Sequence, residues 1–270
     1  IIYTAKYTGT YHVHRMAMLG SRVGYTLTLK VGLGGGTCAD PVYSTSSQQF
    51  GSSSNDLGEM VWSQFDPGTG YNQIYSGNSS TIRRLTTDLA PHDNPSLNNR
   101  GDVIWEQKEF WQTTGLIYGI ISGQLTQVTA DGGSPSINDS QEIVWSRMTN
   151  GFMQIYSNRR GYLTTDLVDH WNPSINNAGD AVWAQLDPVT GRQQGFKLAA
   201  WTTTPGQMTS GPLNHFAAKI SNSGEIVWSE SLMPGPGARV HSSTRGQLTS
   251  DACPAGDDHF TPAVNACGDM

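Results

Sequence analysis

One phrase occurs three times in this chain. It reads HDNPSLNNRGDVIW at 92–105, DGGSPSINDSQEIVW at 131–145 and HWNPSINNAGDAVW at 170–183. A near-copy at a steady distance restricts the fold more than any composition. Each copy must form the same local structure and bury its apolar face against the next. Two copies open on histidine and the third on Asp131-Gly132, a difference that also needs a physical reason.

Three markers hold the same order along the chain. Asn-x-x-Gly-Asp/Glu, or a close variant, begins at Asn55, Asn98, Asn138, Asn176, Asn222 (shifted by one) and Asn265. A hydrophobic-Trp pair ends at Trp62, Trp105, Trp145, Trp183 and Trp228. Leu-Thr or Met-Thr begins at Leu85, Leu125, Leu163, Met208 and Leu248. Within one unit, NPSIN is a short apolar run opened by proline, suited to the start of a strand. NNAGD is a tight turn, because Asn and Gly tolerate positive φ. DAVWAQ is a second strand, and a Gly/Pro loop such as DPGTG (66–70) or DPVTG (187–191) follows. QIYS (73–76 and 154–157) and GYLTTD (161–166) supply the third and fourth strands. Four short strands in about 40–45 residues is the pattern of a β-propeller blade.

Six units of about 45 residues account for all 270. The chain ends at Gly268-Asp269-Met270, where a hydrophobic-aromatic pair is due, and begins with Ile1-Ile2-Tyr3, which is such a pair. The predicted fold is therefore all-β, a single domain over 1–270. It is a six-bladed β-propeller of four-stranded blades, with repeats at about 55–97, 98–137, 138–175, 176–220 and 221–264. In the last blade 265–270 gives the innermost strand and 1–54 the other three. That pairing of N-terminal strands with a C-terminal innermost strand closes the ring and removes open sheet edges. Seven blades, one of them hidden in 29–54, is the alternative.

The order IYS, LT-x-D, P-S-I-N-x-x-G-D-x-V-W resembles the WD40-like repeat of TolB-type β-propellers, whose usual form is IY…LT…P-x-WSPDG-x-x-I-x-F. The likeness covers nearly the whole chain. It departs in carrying Asn for the usual Ser-Pro-Asp before the turn glycine, and Trp where Phe is common. The resemblance implies the propeller fold and leaves function open. Such propellers include protein-docking modules, sugar lyases and peptidase gating domains.

Bulk properties exclude some partners. The net charge is −6, and paired cations occur only at Arg83-Arg84 and Arg159-Arg160, too few for a phosphate backbone. No nucleic-acid partner is expected. No run approaches 18 apolar residues, so no membrane span is expected. Scarce Lys, abundant Ser, Thr, Asn and Gly, and the sequons at Asn78 and Asn138 point to an exported protein, extracellular or periplasmic. The start at Ile1, without a basic and apolar leader, fits a processed or trimmed chain.

The candidate site follows from repeat position. Three residues before the proline that opens the innermost strand, or its equivalent, stand His92, His170, His215 and His259. Gly132 and a position near Gln49 are the counterparts. All innermost strands run the same way along the central channel, so these imidazoles are expected as a broken ring at its mouth, with Trp171, Phe216 and Phe260 beside them. Such a ring is able to hold a transition metal or a polar ligand between imidazole and aromatic faces. The plainer reading is that each His bonds neighbouring backbone and is copied with the repeat. The Trp series reads as filling between blades. Cys38 and Cys253 fall in long loops on one face of neighbouring blades and are expected to form a disulfide. Cys267 lies roughly 20 Å away at strand rise and stays free.

The chain therefore reads as a non-catalytic binding or interaction module, its glycan or protein ligand meeting the channel mouth. One alternative is a metal-assisted polysaccharide lyase or hydrolase using His92, His170, His215 and His259, since some TolB-type propellers hold a metal through His there. The other is a structural subunit that self-assembles. The sequence holds no Gly-x-Ser-x-Gly, His-Glu-x-x-His or Cys-x-x-Cys motif.

Overall fold

The repeated phrase folds the same way each time, as an innermost strand, a tight turn and a second strand. The computed structural model describes residues 49–78, 81–108, 112, 115–231, 239–248 and 262. Cys38, Cys253, Cys267, His259 and Phe260, and the strands expected from 1–48 and 263–270, lie outside the described residues.

The first blade is β1 (Gln49–Ser54), β2 (Met60–Asp66), β3 (Tyr71–Asn78) and β4 (Thr81–Arg84), paired antiparallel in that order. The second has β5 (His92–Leu97), β6 (Val103–Gln107), β7 (Gly115–Ile121) and the first part of β8 (Gln124–Ile137). The third takes the rest of β8 with β9 (Ile143–Thr149), β10 (Phe152–Ser157) and β11 (Gly161–Tyr162). The fourth is β12 (His170–Ile175), β13 (Ala181–Leu186), β14 (Gln193–Leu198) and β15 (Gly206–Gln207). The fifth is β16 (Asn214–Ile220), β17 (Ile226–Ser231), β18 (Arg239–Ser242) and β19 (Gly246–Gln247). Among the described residues there is no helix, hence none long and apolar enough to cross a membrane.

One boundary corrects the sequence reading. The second and third blades are joined in a seven-stranded sheet, because β8 pairs with β7 on entering and with β9 on leaving. Leu125, taken as the Leu of this unit's Leu-Thr marker, is 71% exposed. Val128 packs instead into the core position that Leu85, Leu163 and Met208 hold in the other blades. The true marker is Val128-Thr129, three residues later, so the connection to the next innermost strand is shorter. A chain this short has no room for a loop and runs straight through Gly132-Gly133.

The cores lie between blades. Trp105, Val103 and Leu97 of the second blade pack on Val61 and Ile74 of the first. Trp145, Ile143 and Ile137 pack on Ile104 and Ile117, and Trp183, Ala181 and Ile175 on Val144 and Ile155. Trp228 is partly buried against the corresponding cluster at the fifth blade. Trp105, Trp145, Trp183 and Trp228 are thus inter-blade filling, as read from their repeat position.

Polar members of the repeat bind the blades together. Asn98 Oδ1 accepts the N–H groups of Arg100 and Asp102, which shapes the turn. Its Nδ2 donates across to the Asn138 carbonyl at 3.0 Å. Asn55 reaches Asn98 O, Asn138 reaches Asn176 O and Asn176 reaches Ser221 O in the same manner. The Ser hydroxyls of the phrase add a second bond one residue pair away. Ser96, Ser136 and Ser174 accept the N–H of Ile137, Ile175 and Ile220. The phrase is repeated because Asn and Ser each supply one bond to the next copy of themselves. This corrects one sign of export. Asn138 is buried with its amide nitrogen donating inward, so its sequon is turn chemistry and offers no glycan acceptor in the folded chain.

Candidate functional site

Five innermost strands, β1, β5, β8, β12 and β16, line one channel of about 170 Å³. Each carries a β-bulge at the same place, seen as register breaks at Phe50/Ser52, Asp93/Ser96, Gly133/Ser136, Trp171/Ser174 and Phe216/Lys219. The bulge residues Gly51, Asn94, Ser134, Asn172 and Ala217 have φ between 42° and 53°. Only Gly takes this region freely, and Asn is the best of the others. A bulge re-aims the residues around it, and all five form part of the channel lining. Asn94 is held by Glu106, its Nδ2 donating to Oε2 at 2.8 Å. Asn172 is half-buried, and among the described residues its side-chain amide makes no hydrogen bond.

The turns narrow the channel at the end where the innermost strands finish. The N–H groups of Asp56, Asn99, Asp139 and Asn177 donate to the side-chain oxygens of Asn99, Asp139, Asn177 and Asn222. Asn222 Nδ2 then donates to Asp56 Oδ2 at 2.8 Å. Five turns are thereby joined in one circuit of hydrogen bonds.

The three described histidines of the expected ring are not brought together at the channel. His92, His170 and His215 are buried and absent from the channel lining. His92 Nε2 pairs with Asp88 Oδ1 at 2.5 Å, and its ring meets Trp105 edge-on with centroids 6.1 Å apart. His170 donates from Nδ1 to the Met153 carbonyl at 3.3 Å and stands 6.2 Å from Trp183. His215 pairs with Glu230 at 3.2 Å. Among the described residues no three His, Cys, Asp or Glu are placed to hold a metal. Trp171 and Phe216 are half-buried one residue on. Their counterpart Asp93 reaches back to Ser63 and Asn72 of the preceding blade.

The histidine that opens the phrase is therefore a partner for the Trp that ends it. The third copy shows why it is sometimes missing. A Cβ on Gly132 would lie 2.5 Å from Trp145 Cδ1 and 2.9 Å from Ile117 Cδ1. There Trp145 leans on Tyr156 at 4.9 Å and fills the space an imidazole takes elsewhere.

Three carboxylates at the turns are shifted in the same sense. Burial raises the pKa of Asp102, Asp180 and Glu225, but the bonds they accept outweigh it and hold them below the ordinary carboxylate value. The donors are Ser122 N–H, Asn98 and Gln141 for Asp102, Lys197 and Ala200 N–H for Asp180, and Ser242, Arg245 and Thr244 for Glu225. Burial lowers the His215 pKa, and Glu230 opposes that only in part. All four groups are depressed on folding, so each contributes stability above its unfolded pKa and loses it as pH falls. Thermal stability should decline first as pH drops below about 6.5, from His215, and again below about 4, from the carboxylates. His215→Gln should weaken the first decline and leave the second, as melting curves across pH would show.

No family model matches the chain, and no curated protein matches it in sequence. Solved structures do match in shape. A TolB protein of Agrobacterium tumefaciens superposes with a TM-score of 0.64 over 84% of this chain and 89% of its own, at 12% identity. The fold is that of a TolB-like β-propeller. TolB of Acinetobacter baumannii gives 0.56 at 15% identity over 73% of this chain, which spans only 54% of that protein. A chain of a nidogen/laminin complex gives 0.55 at 8% identity, covering 76% of this chain and 80% of its own. At such identities a likeness speaks for the fold alone. Within this TolB-like propeller, the lining residues Asn94, Ser134, Asn172 and Lys219 escaped the sequence reading. Lys219 had a visible signal, since the fifth unit reads Ala218-Lys219-Ile220-Ser221 where the second, third and fourth read Pro-Ser-Ile/Leu-Asn.

Proposed function

We propose that this TolB-like propeller is a non-catalytic binding module that receives an extended segment of a protein partner in its central channel. The observation that carries this is the channel wall. Bulge residues turn amides and hydroxyls into it from successive blades, and such groups pair with peptide N–H and C=O alike. The half-buried Trp171 and Phe216, near the start of the innermost strands, would add apolar contact at the rim. His259 and Phe260 hold the matching repeat position. A ligand that reached the buried imidazoles would first have to part them from Trp105 and Trp183, which speaks against His92 and His170 as direct contacts. The nidogen/laminin likeness is in keeping with a protein partner. Six blades, a ring closed by the two chain ends, a Cys38–Cys253 disulfide and export to an oxidising compartment belong to the same proposal.

The test is direct. Wild type and Asn172→Tyr are probed against a library of short unstructured peptides and against a glycan array, with circular dichroism confirming the fold. Tyrosine at a left-handed position costs about 1 kcal/mol of backbone strain, which the fold should tolerate. Wild type should retain a set of peptides that the channel-filling variant loses. Binding on the glycan array alone would move the ligand class to sugars, and equal retention by the variant would overturn the channel as the site.

A further inference from the structure

Ser96, Ser136 and Ser174 stand at one position of the innermost strand, each accepting the next blade's N–H. The fifth blade puts Lys219 there. An ammonium group has no lone pair to accept with, so the residue is not a substitute for serine in the architecture. Lys219 lines the channel and, among the described residues, its ammonium group enters no hydrogen bond or ion pair. The other described lining residues are Ser, Asn, Gly, Pro and aliphatic, together with Asp56 and Asp139, which are engaged in the turn circuit. Burial lowers the Lys219 pKa, with no neighbouring carboxylate acting against it. Asn172, which also lacks a partner, lies on the adjacent strand two residues before Ser174, whose hydroxyl accepts Ile220 N–H. The amide and the ammonium thus come from neighbouring strands, Asn172 two residues nearer the strand start than the position equivalent to Lys219.

We propose that Lys219, with the Asn172 amide as a second donor, forms a carboxylate-binding site inside the channel, so that its ligand carries an acidic group. One cation with neutral donors suits a single carboxylate better than a phosphate, which calls for several charges. The acidic group belongs either to a side chain of the partner segment or to a small organic acid. This inference rests on the channel being the binding site.

The test uses protein labelled with ¹³C at lysine Cε and two blocked pentapeptides, Gly-Gly-Glu-Gly-Gly and its Gln counterpart, with propionate as a third probe. Lys219→Ser assigns the Lys219 signal and restores the residue of the other blades, so it should fold; Lys219→Arg keeps the charge. The Glu peptide should move the Lys219 signal saturably and bind about ten-fold more tightly than the Gln peptide, as expected for a charge-assisted bond. Lys219→Ser should abolish the difference, and Lys219→Arg should keep most of it. Saturation by propionate without either peptide would keep the carboxylate site and assign it to a free acid, at the expense of the protein-segment reading. Equal affinity for the two peptides, or a Lys219 signal unmoved by every probe, would overturn the carboxylate site while channel filling by Asn172→Tyr still reports on the channel itself.

Discussion

Trp183→Ala should destabilise the protein by about 4 kcal/mol, the upper range for emptying a large aromatic from a core. Trp183 has no exposed surface. It joins Val144 and Ile155 of the third blade to Ile175, Ala181 and Leu198 of the fourth, so its loss opens a cavity between two sheets that are not free to close on it. His170 would lose its aromatic neighbour as well. The indole N–H has no partner, so Trp183→Phe forfeits only volume and should cost about half as much. Trp201, 95% exposed, is the internal control, and Trp201→Ala should stay within about 0.5 kcal/mol of wild type. Urea unfolding midpoints measure all three. A small effect at Trp183 would mean that the blades are held by something other than the apolar seams.

Asn138→Ala should cost about 3 kcal/mol, through hydrogen bonds left unmade in a buried place. Its Oδ1 accepts from Ser140 N–H, Ser140 Oγ and Glu142 N–H, and its Nδ2 donates to Asn176 O at 3.0 Å. Replacement strands the buried Glu142 N–H and leaves the Asn176 carbonyl with only the Gly179 N–H of its own turn. The fifth blade supplies the control. Ser221 holds the corresponding place and its hydroxyl still accepts Glu225 N–H. Asn138→Ser should therefore keep the turn, lose only the blade-to-blade bond and cost about 1 kcal/mol. Equal losses for Ala and Ser would assign the whole effect to the link between blades. Equal and negligible losses would remove Asn from the account of why the phrase repeats.

The blade pattern was legible in the sequence because it rests on short-range rules. Turn residues at Asn98 and Gly101, the short apolar run Val103-Ile104-Trp105, and a steady spacing need no knowledge of distant contacts. The second unit reads three residues too early because Leu125-Thr126 matches the Leu-Thr marker and Val128-Thr129, which holds the place, does not. Only packing against Ile117 distinguishes them. The candidate site was less legible. Counting back from Pro95 and Pro173 located His92 and His170 on the right strands but on the wrong side. Alternation of side chains fails across a bulge, and no dipeptide announces that Asn94 and Asn172 have positive φ.

What the sequence determined alone is the repeat and its all-β local structure: strands of set length, turns of set chemistry, and an Asn and a Ser in each copy waiting for a partner. What only the tertiary structure decided is the direction in which each polar residue faces. The inter-blade seams claim Trp105, Trp145, Trp183 and Trp228, with His92 and His170 beside two of them, because large rings gain most from leaving water. The bulges send Asn172 to the channel, and strand position puts Lys219 there too, where water or a ligand replaces protein contacts. Burial and side-chain direction are properties of the assembled blades, so the residues available to a ligand emerge only when one repeat meets the next.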